Sequence, residues 1–271
     1  MQKNSLKMNG EACQAYLQSL AQFDETGKLA ATAERLLQST ASWEEELIKK
    51  VQVRIIKDDS LLNEQVLDIL NLAYNFRYAP EQDIDDQVMT AIDKGSKAQT
   101  LVVTTTINDK EIVLATLQLV LGEKKDILAP NKSKLEAFQL FKLIDDQAQW
   151  PHQLENKKPA ELGRFAFHPL FDQLRFEANS EVKKRVGELK KELTAKLWQK
   201  IELIFKKNGG DYCVLAVMSD NVRDFAQALG FEALEQKQVV LNDSPFMDYL
   251  KKNLTRYFSQ AKFYTLSYGQ N

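Results

Sequence analysis

A carboxylate and a guanidinium stand three residues apart in the run Glu161-Leu162-Gly163-Arg164-Phe165-Ala166-Phe167-His168-Pro169. By themselves Glu161 and Arg164 are equally a strand-surface ion pair, worth little to stability, or a working pair. Arg77 is as open, within Ala73-Tyr74-Asn75-Phe76-Arg77-Tyr78. Asp83, Asp85 and Asp86 sit at a helix start, where acids suit the helix dipole. Arg175, Lys183, Lys184 and Arg185 flank the start of a long amphipathic segment, and a solvated basic face is the default reading of such a cluster. His168, just before Pro169, reads as a turn residue.

Several chemistries are excluded by what is missing. Two histidines and two cysteines make no ordinary zinc site without carboxylates, no H-E-x-x-H spacing occurs, and no metal is expected. There is no G-x-S-x-G nucleophile elbow, Walker loop or G-x-G-x-x-G. With only ten glycines in the chain, loops that cradle phosphates are scarce.

Such residues need a scaffold to position them. The 271 residues suffice for one large α/β domain, or a medium domain with an extension. A hydrophobic share of 44% and a charged share of 27% are ordinary for a globular chain. The net charge of -2 gives no basic footprint for nucleic acid. Cys13 and Cys213 form no disulfide framework, which fits a reducing compartment. Met1 to Gly10 lacks the apolar core of a signal peptide. No apolar run approaches the roughly 20 residues of a membrane helix, so a cytoplasmic protein is expected.

Residues 1–49 read as an N-terminal helical extension. Val51, Val53 and Ile55 then alternate with polar residues, a strand signal. A helix capped by Asp59 or Ser60 carries Leu61, Leu62, Val66, Ile69, Leu70 and Ala73 at spacings of three and four. A short helix is expected from Asp83 to Asp93. A hairpin follows, with arms Thr100–Ile107 and Glu111–Leu121 around Asn108-Asp109-Lys110. A helical piece is expected around Leu135–Leu143, then a strand over 160–168. The long helix carries Val182, Val186, Leu189, Leu193, Leu197, Ile201 and Ile204 and stops at Asn208-Gly209-Gly210. Tyr212–Val217 reads as a strand buried on both faces. A helix ending at Leu229-Gly230-Phe231, a strand at Gln238–Leu241, a helix at Pro245–Tyr257 and a strand at Phe263–Tyr268 complete the order. It predicts an α/β fold, a mixed sheet with helices on both faces. Trp43, Trp150 and Trp198 read as packing residues.

The block at 160–242, strand, long helix, strand and a helix ending in Leu-Gly-Phe, resembles the core of the GNAT N-acyltransferases. Glu161, Leu162, Arg164, Phe165 and Ala166 are similar to the E-[hydrophobic]-S-R-[F/L]-A-V signature of acyl-homoserine lactone synthases and N-acyl amino acid synthases, a bacterial branch. Tyr74 to Tyr78 looks like that branch's Y-x-L-R-Y segment, and Asp83, Asp85 and Asp86 like its acidic patch. The resemblance implies a GNAT-like splayed sheet over 50–271. The strands at 160–168 and 212–217 would be parallel neighbours with an acyl-pantetheine arm between them.

It further implies acyl transfer from an acyl carrier protein or acyl-coenzyme A co-substrate to a small amine such as an amino acid, with no covalently bound cofactor. Glu161 would deprotonate the amine, and Arg164 would hold a carboxylate or structure the acidic patch. Phe165, Ala166 and Phe167 would line the pantetheine gap. Arg175, Lys183, Lys184 and Arg185 would meet the carrier protein or the pantetheine phosphate. Arg77, Asp83 and Asp86 would bind the acceptor. Three departures stand out. Gly163 replaces the signature serine, Phe171 to Lys184 holds no glycine for a diphosphate loop, and Phe225 stands where many relatives carry a tyrosine acid. The second favours a carrier protein as donor. Together with Gly163 it also leaves open a GNAT-fold binding protein without catalysis. Glu161 and Arg164, three apart, face opposite sides of a regular strand. One site can use both only if the strand is distorted or they act from different sides.

Overall fold

The computed structural model describes residues 50–56, 61–67, 69–70, 98–107, 110–125, 135, 141–143, 157–168, 171, 180–218, 226–233, 239–241 and 262–268. The expected N-terminal extension, the helices at Asp83–Asp93 and Pro245–Tyr257, and Arg77, Asp83, Asp86 and Arg175 lie outside these residues.

The alternating stretch at the start becomes β1 (Gln52–Ile55), and the hairpin becomes β2 (Ala98–Ile107) and β3 (Lys110–Leu121). Lys110 therefore belongs to the strand rather than the turn. The helix between β1 and β2, α1, covers residues 61–67 and 69–70. Beyond β3 come β4 (Phe141–Leu143), β5 (Lys158–Phe167), the long helix α2 (Ser180–Lys207) and β6 (Tyr212–Met218). The chain then forms β7 (Glu232–Ala233), β8 (Val239–Leu241) and β9 (Lys262–Tyr268).

Seven of the described strands form one sheet in the order β1-β2-β3-β5-β6-β9-β7. β5 and β6 are parallel neighbours, as expected, joined through α2; the other pairings in the sheet are antiparallel. The helical piece expected around Leu135–Leu143 is contradicted at its two described ends. Leu135 is buried outside any helix, and 141–143 is a strand that pairs antiparallel with β8 in a separate two-stranded sheet. Apolar residues three and four apart suit a helix, but cross-strand pairing with Val239, Val240 and Leu241 decides the outcome here.

Helices cover both faces. On one, α2 buries Val186, Leu189, Leu193, Leu197, Ile201 and Ile204 against Leu101, Val103, Leu117, Leu119 and Ala160. That is the stripe its 3.6-residue period predicts. Asn208-Gly209-Gly210 ends α2, with φ of 99° at Gly209 and 65° at Gly210, angles that glycine adopts without cost. The Gly210 N–H returns to the Phe205 carbonyl at 2.7 Å. Phe205 then stacks on Tyr212 at 4.4 Å, which seats β6 beneath the helix end. Trp198 packs edge-on to Phe231 at 5.9 Å, the structural role expected of it.

On the other face, α1 buries Leu62, Val66, Ile69 and Leu70 against Val102, Val113 and Ala166. The side-chain amide of Gln65 grips β3 as a neighbouring strand would. Its Nε2 donates to the Glu111 carbonyl at 3.1 Å, and its Oε1 accepts from the Val113 N–H at 2.9 Å. Both groups lie beyond Ala115, the last β3 residue that β5 pairs.

Candidate functional site

The parallel pairing of β5 with β6 runs from Lys158–Tyr212 to Leu162–Ala216 and ends there. Past Leu162, β5 keeps only β3 as a neighbour among the described strands, while β6 continues beside β9 through Met218. The sheet is thus splayed at its only parallel pair among the described strands, with the apex at Leu162–Gly163. The His168 N–H bonds back to the Leu114 carbonyl of β3 at 2.8 Å. Successive residues of a strand aim their backbone groups at opposite edges. The N–H and C=O of Phe167 therefore face the open side, where no described strand pairs with them. Backbone groups left unpaired by a sheet are strong and obligatory hydrogen-bonding sites.

A bulge sits at the same place. β5 spends Arg164 and Phe165 against the single residue Leu117 of β3, between the pairs Gln118–Gly163 and Thr116–Ala166. Arg164 takes up the distortion with φ 50°, the one non-glycine residue with positive φ among those described. An extra residue of this kind reverses which face each later side chain takes. Ala160 and Leu162 lie on the α2 face, so Glu161 lies on the α1 face. Without the bulge Ala166 would follow Ala160 and Leu162; instead it packs under α1, while Phe165 and Phe167 face α2. Arg164 is turned to the α1 side, where it lines a cavity. The distortion that a shared site requires is therefore present, and Glu161 and Arg164 occupy one face.

The cavity measures ≈ 160 Å³. Thr100, Thr116, Gln118 and Arg164 form its sheet wall, and Asn63, Val66, Leu67 and Leu70 of α1 its lid. An apolar cavity of about 150 Å³ takes a benzene-sized molecule, and drug-sized pockets begin near about 300 Å³. Glu161 is 6% and Arg164 9% exposed, so both ionisable groups have left bulk water. Both engage other groups, while Glu161 Oε2 and Arg164 Nη2 retain unused hydrogen-bonding capacity.

Phe165, Ala166 and Phe167 lie on the part of β5 past its pairing with β6. The Phe165 and Phe167 rings meet edge-on at 4.8 Å, and the Lys190 ammonium lies 5.1 Å over the Phe167 ring. Lys190 stands one heptad after Lys183, which puts the two on one side of α2. Lys183, Lys184 and Arg185 are exposed in the first half of α2, and Lys184 approaches Glu188 at 3.9 Å. His168 is buried just past the end of β5, its carbonyl accepting from the Phe171 N–H at 3.0 Å. Burial pushes the Cys213 thiol up to about 12 against a smaller opposing pull from Lys157. A thiol held protonated is a poor nucleophile, so Cys213 offers no acyl-enzyme route.

No family model matches the chain, and no curated protein matches it. Solved structures do. FeeM, an N-acyl amino acid synthase from uncultured soil microbes, is 16% identical at a TM-score of 0.41, over 80% of this chain and 91% of that one. An acetyltransferase from Streptococcus agalactiae is 11% identical at 0.37, over 81% and 99%. The ribosomal-protein-S18-alanine N-acetyltransferase from Escherichia coli is 9% identical at 0.36, over 82% and 96%. The assignment to a GNAT-like splayed sheet rests on the strand order and the separating parallel pair.

Proposed function

We propose that the protein is an N-acyltransferase that moves an acyl group from a pantetheine thioester to the amine of a small acceptor. One observation carries this reading: the sheet opens at the residues where the β5 bulge turns Arg164 to the side of Glu161. An open strand edge suits the amide groups of a pantetheine arm. A guanidinium lining a small cavity, with a buried carboxylate on the same face of β5, suits an amino acid.

The chemistry then needs no covalent intermediate. The acceptor arrives as an ammonium, and Glu161 takes one proton to free the nitrogen lone pair. The amine attacks the thioester carbonyl. Backbone N–H groups on the free edge of β5 stabilise the oxyanion as charge develops. Collapse breaks the C–S bond, the nitrogen loses its second proton, and the thiolate gains one to leave as thiol. Arg164, on the cavity wall, holds the acceptor carboxylate by charge-assisted hydrogen bonds. Arg77, Asp83 and Asp86 complete the acceptor site in this proposal.

The donor is an acyl carrier protein. Phe171 to Lys184 supplies cations but no glycine nest for a diphosphate. Arg175, Lys183, Lys184 and Arg185 match an acidic partner. Mass spectrometry of lipid extracts from cells expressing the protein tests the reading. A new N-acyl amino acid, absent from control cells, is the expected result. Extracts identical to controls, together with no amide formed by purified protein from either acyl carrier protein or acyl-coenzyme A, overturn it.

A further inference from the structure

Gly163 occupies a strand position that gives no backbone reason for glycine. Its φ is not among the positive values, which fall on its neighbour Arg164 and on Gly209, Gly210 and Gly230. Close approach of another group is not the reason either, since a Cβ built on Gly163 meets nothing within 4 Å. A glycine inside a strand weakens it, through lost entropy and the absence of a packed side chain. The chain carries that cost at the apex of the splay.

The location says what the space does. Gly163 is the first β5 residue after the last pair with β6, Leu162–Ala216. Its cross-strand partner on β3 is Gln118, so its missing side chain would project from the same face as Gln118. Gln118 lines the cavity under α1. The open volume over Gly163 therefore has the cavity on one side and the mouth of the gap on the other, with Glu161 two residues back on the same face. In the proposed reaction the acceptor nitrogen must leave its pocket on this line to reach a thioester in the gap.

We infer that Gly163 is a specificity-determining residue, the aperture through which the acceptor amine reaches the acyl thioester. It rests on the acyltransferase reading. The bare backbone sets how much bulk next to the nitrogen is admitted. A methyl group at this position narrows the passage, and a branched side chain closes it. Because the φ is ordinary and the space open, the same substitutions do not harm the fold. They remove a glycine from a strand and leave stability equal or raised.

The test is the series Gly163→Ala, Gly163→Ser and Gly163→Val, with purified protein and both acyl carrier protein and acyl-coenzyme A as donors. Glycine, alanine, valine and tyrosine serve as acceptors, with thermal melting alongside. The expected result is a melting temperature at or above that of wild type in all three. The kcat/KM should fall about tenfold or more for valine and tyrosine in Gly163→Ala and Gly163→Ser, less for glycine, and for every acceptor in Gly163→Val. A merely structural glycine would instead lower the melting temperature and affect all acceptors alike. If wild type transfers acyl groups and Gly163→Val does so equally well with every acceptor, the aperture is wrong and the transferase reading stands. If wild type transfers to no amine from either donor, both fall.

Discussion

Arg164 carries two burdens at once, a backbone angle that suits glycine and a side chain that lines the cavity. A left-handed angle costs a residue with a Cβ about 1–2 kcal/mol, and such outliers persist where the surroundings hold them. The two burdens separate by substitution. Arg164→Gly relieves the angle and removes the guanidinium, while Arg164→Ala removes the guanidinium and keeps the angle. In urea unfolding the glycine variant should be more stable than the alanine variant by about 1–2 kcal/mol. Both should raise the acceptor KM, since neither holds a carboxylate. Equal stabilities would mean that the φ of 50° is not maintained. Glu161 and Arg164 were legible as candidates from their strand, but the bulge that unites them was not. A positive φ is expected at the glycine, and here it falls on the arginine beside it, because the register between β3 and β5 sets which residue is extra.

Among the elements, β1 and the long helix followed from period, and the hairpin and β6 from their apolar, β-branched runs. Val186 through Ile204 mark the buried face of α2, and the Val- and Thr-rich arms mark the hairpin. Elements whose identity depends on distant partners did not follow. β4 is three residues long, resembles a helix locally, and becomes a strand by pairing with β8 about a hundred positions on. β7, two residues, is too short for any period and exists through β9. The docking of α1 is also tertiary, since the Gln65 amide grips the backbone of β3. Gln65→Leu keeps the volume and strips two backbone groups of their partner. The expected cost is about 1–3 kcal/mol, the usual penalty for buried groups left unsatisfied. A raised acceptor KM should accompany it, because α1 is the lid of the cavity. A leucine variant as stable as wild type would show that water replaces the amide and that the lid is held by its apolar face alone.

Among the described residues, one parallel strand pair sits at the centre of the sheet. β5 and β6 run together for five residues and then separate, with α2 on one face, α1 on the other, and the bulge at the fork. The central claim is that this fork is a reaction centre with Glu161 as its base. The direct measurement is turnover of Glu161→Gln at saturating acceptor, following free thiol from an acyl-carrier-protein thioester, with folding checked by thermal melting. Glutamine keeps the shape and loses the basicity, so turnover should fall by about 10²-fold or more, the scale of losing a general base, with melting little changed. Turnover within a few-fold of wild type in a folded Glu161→Gln protein would contradict the account.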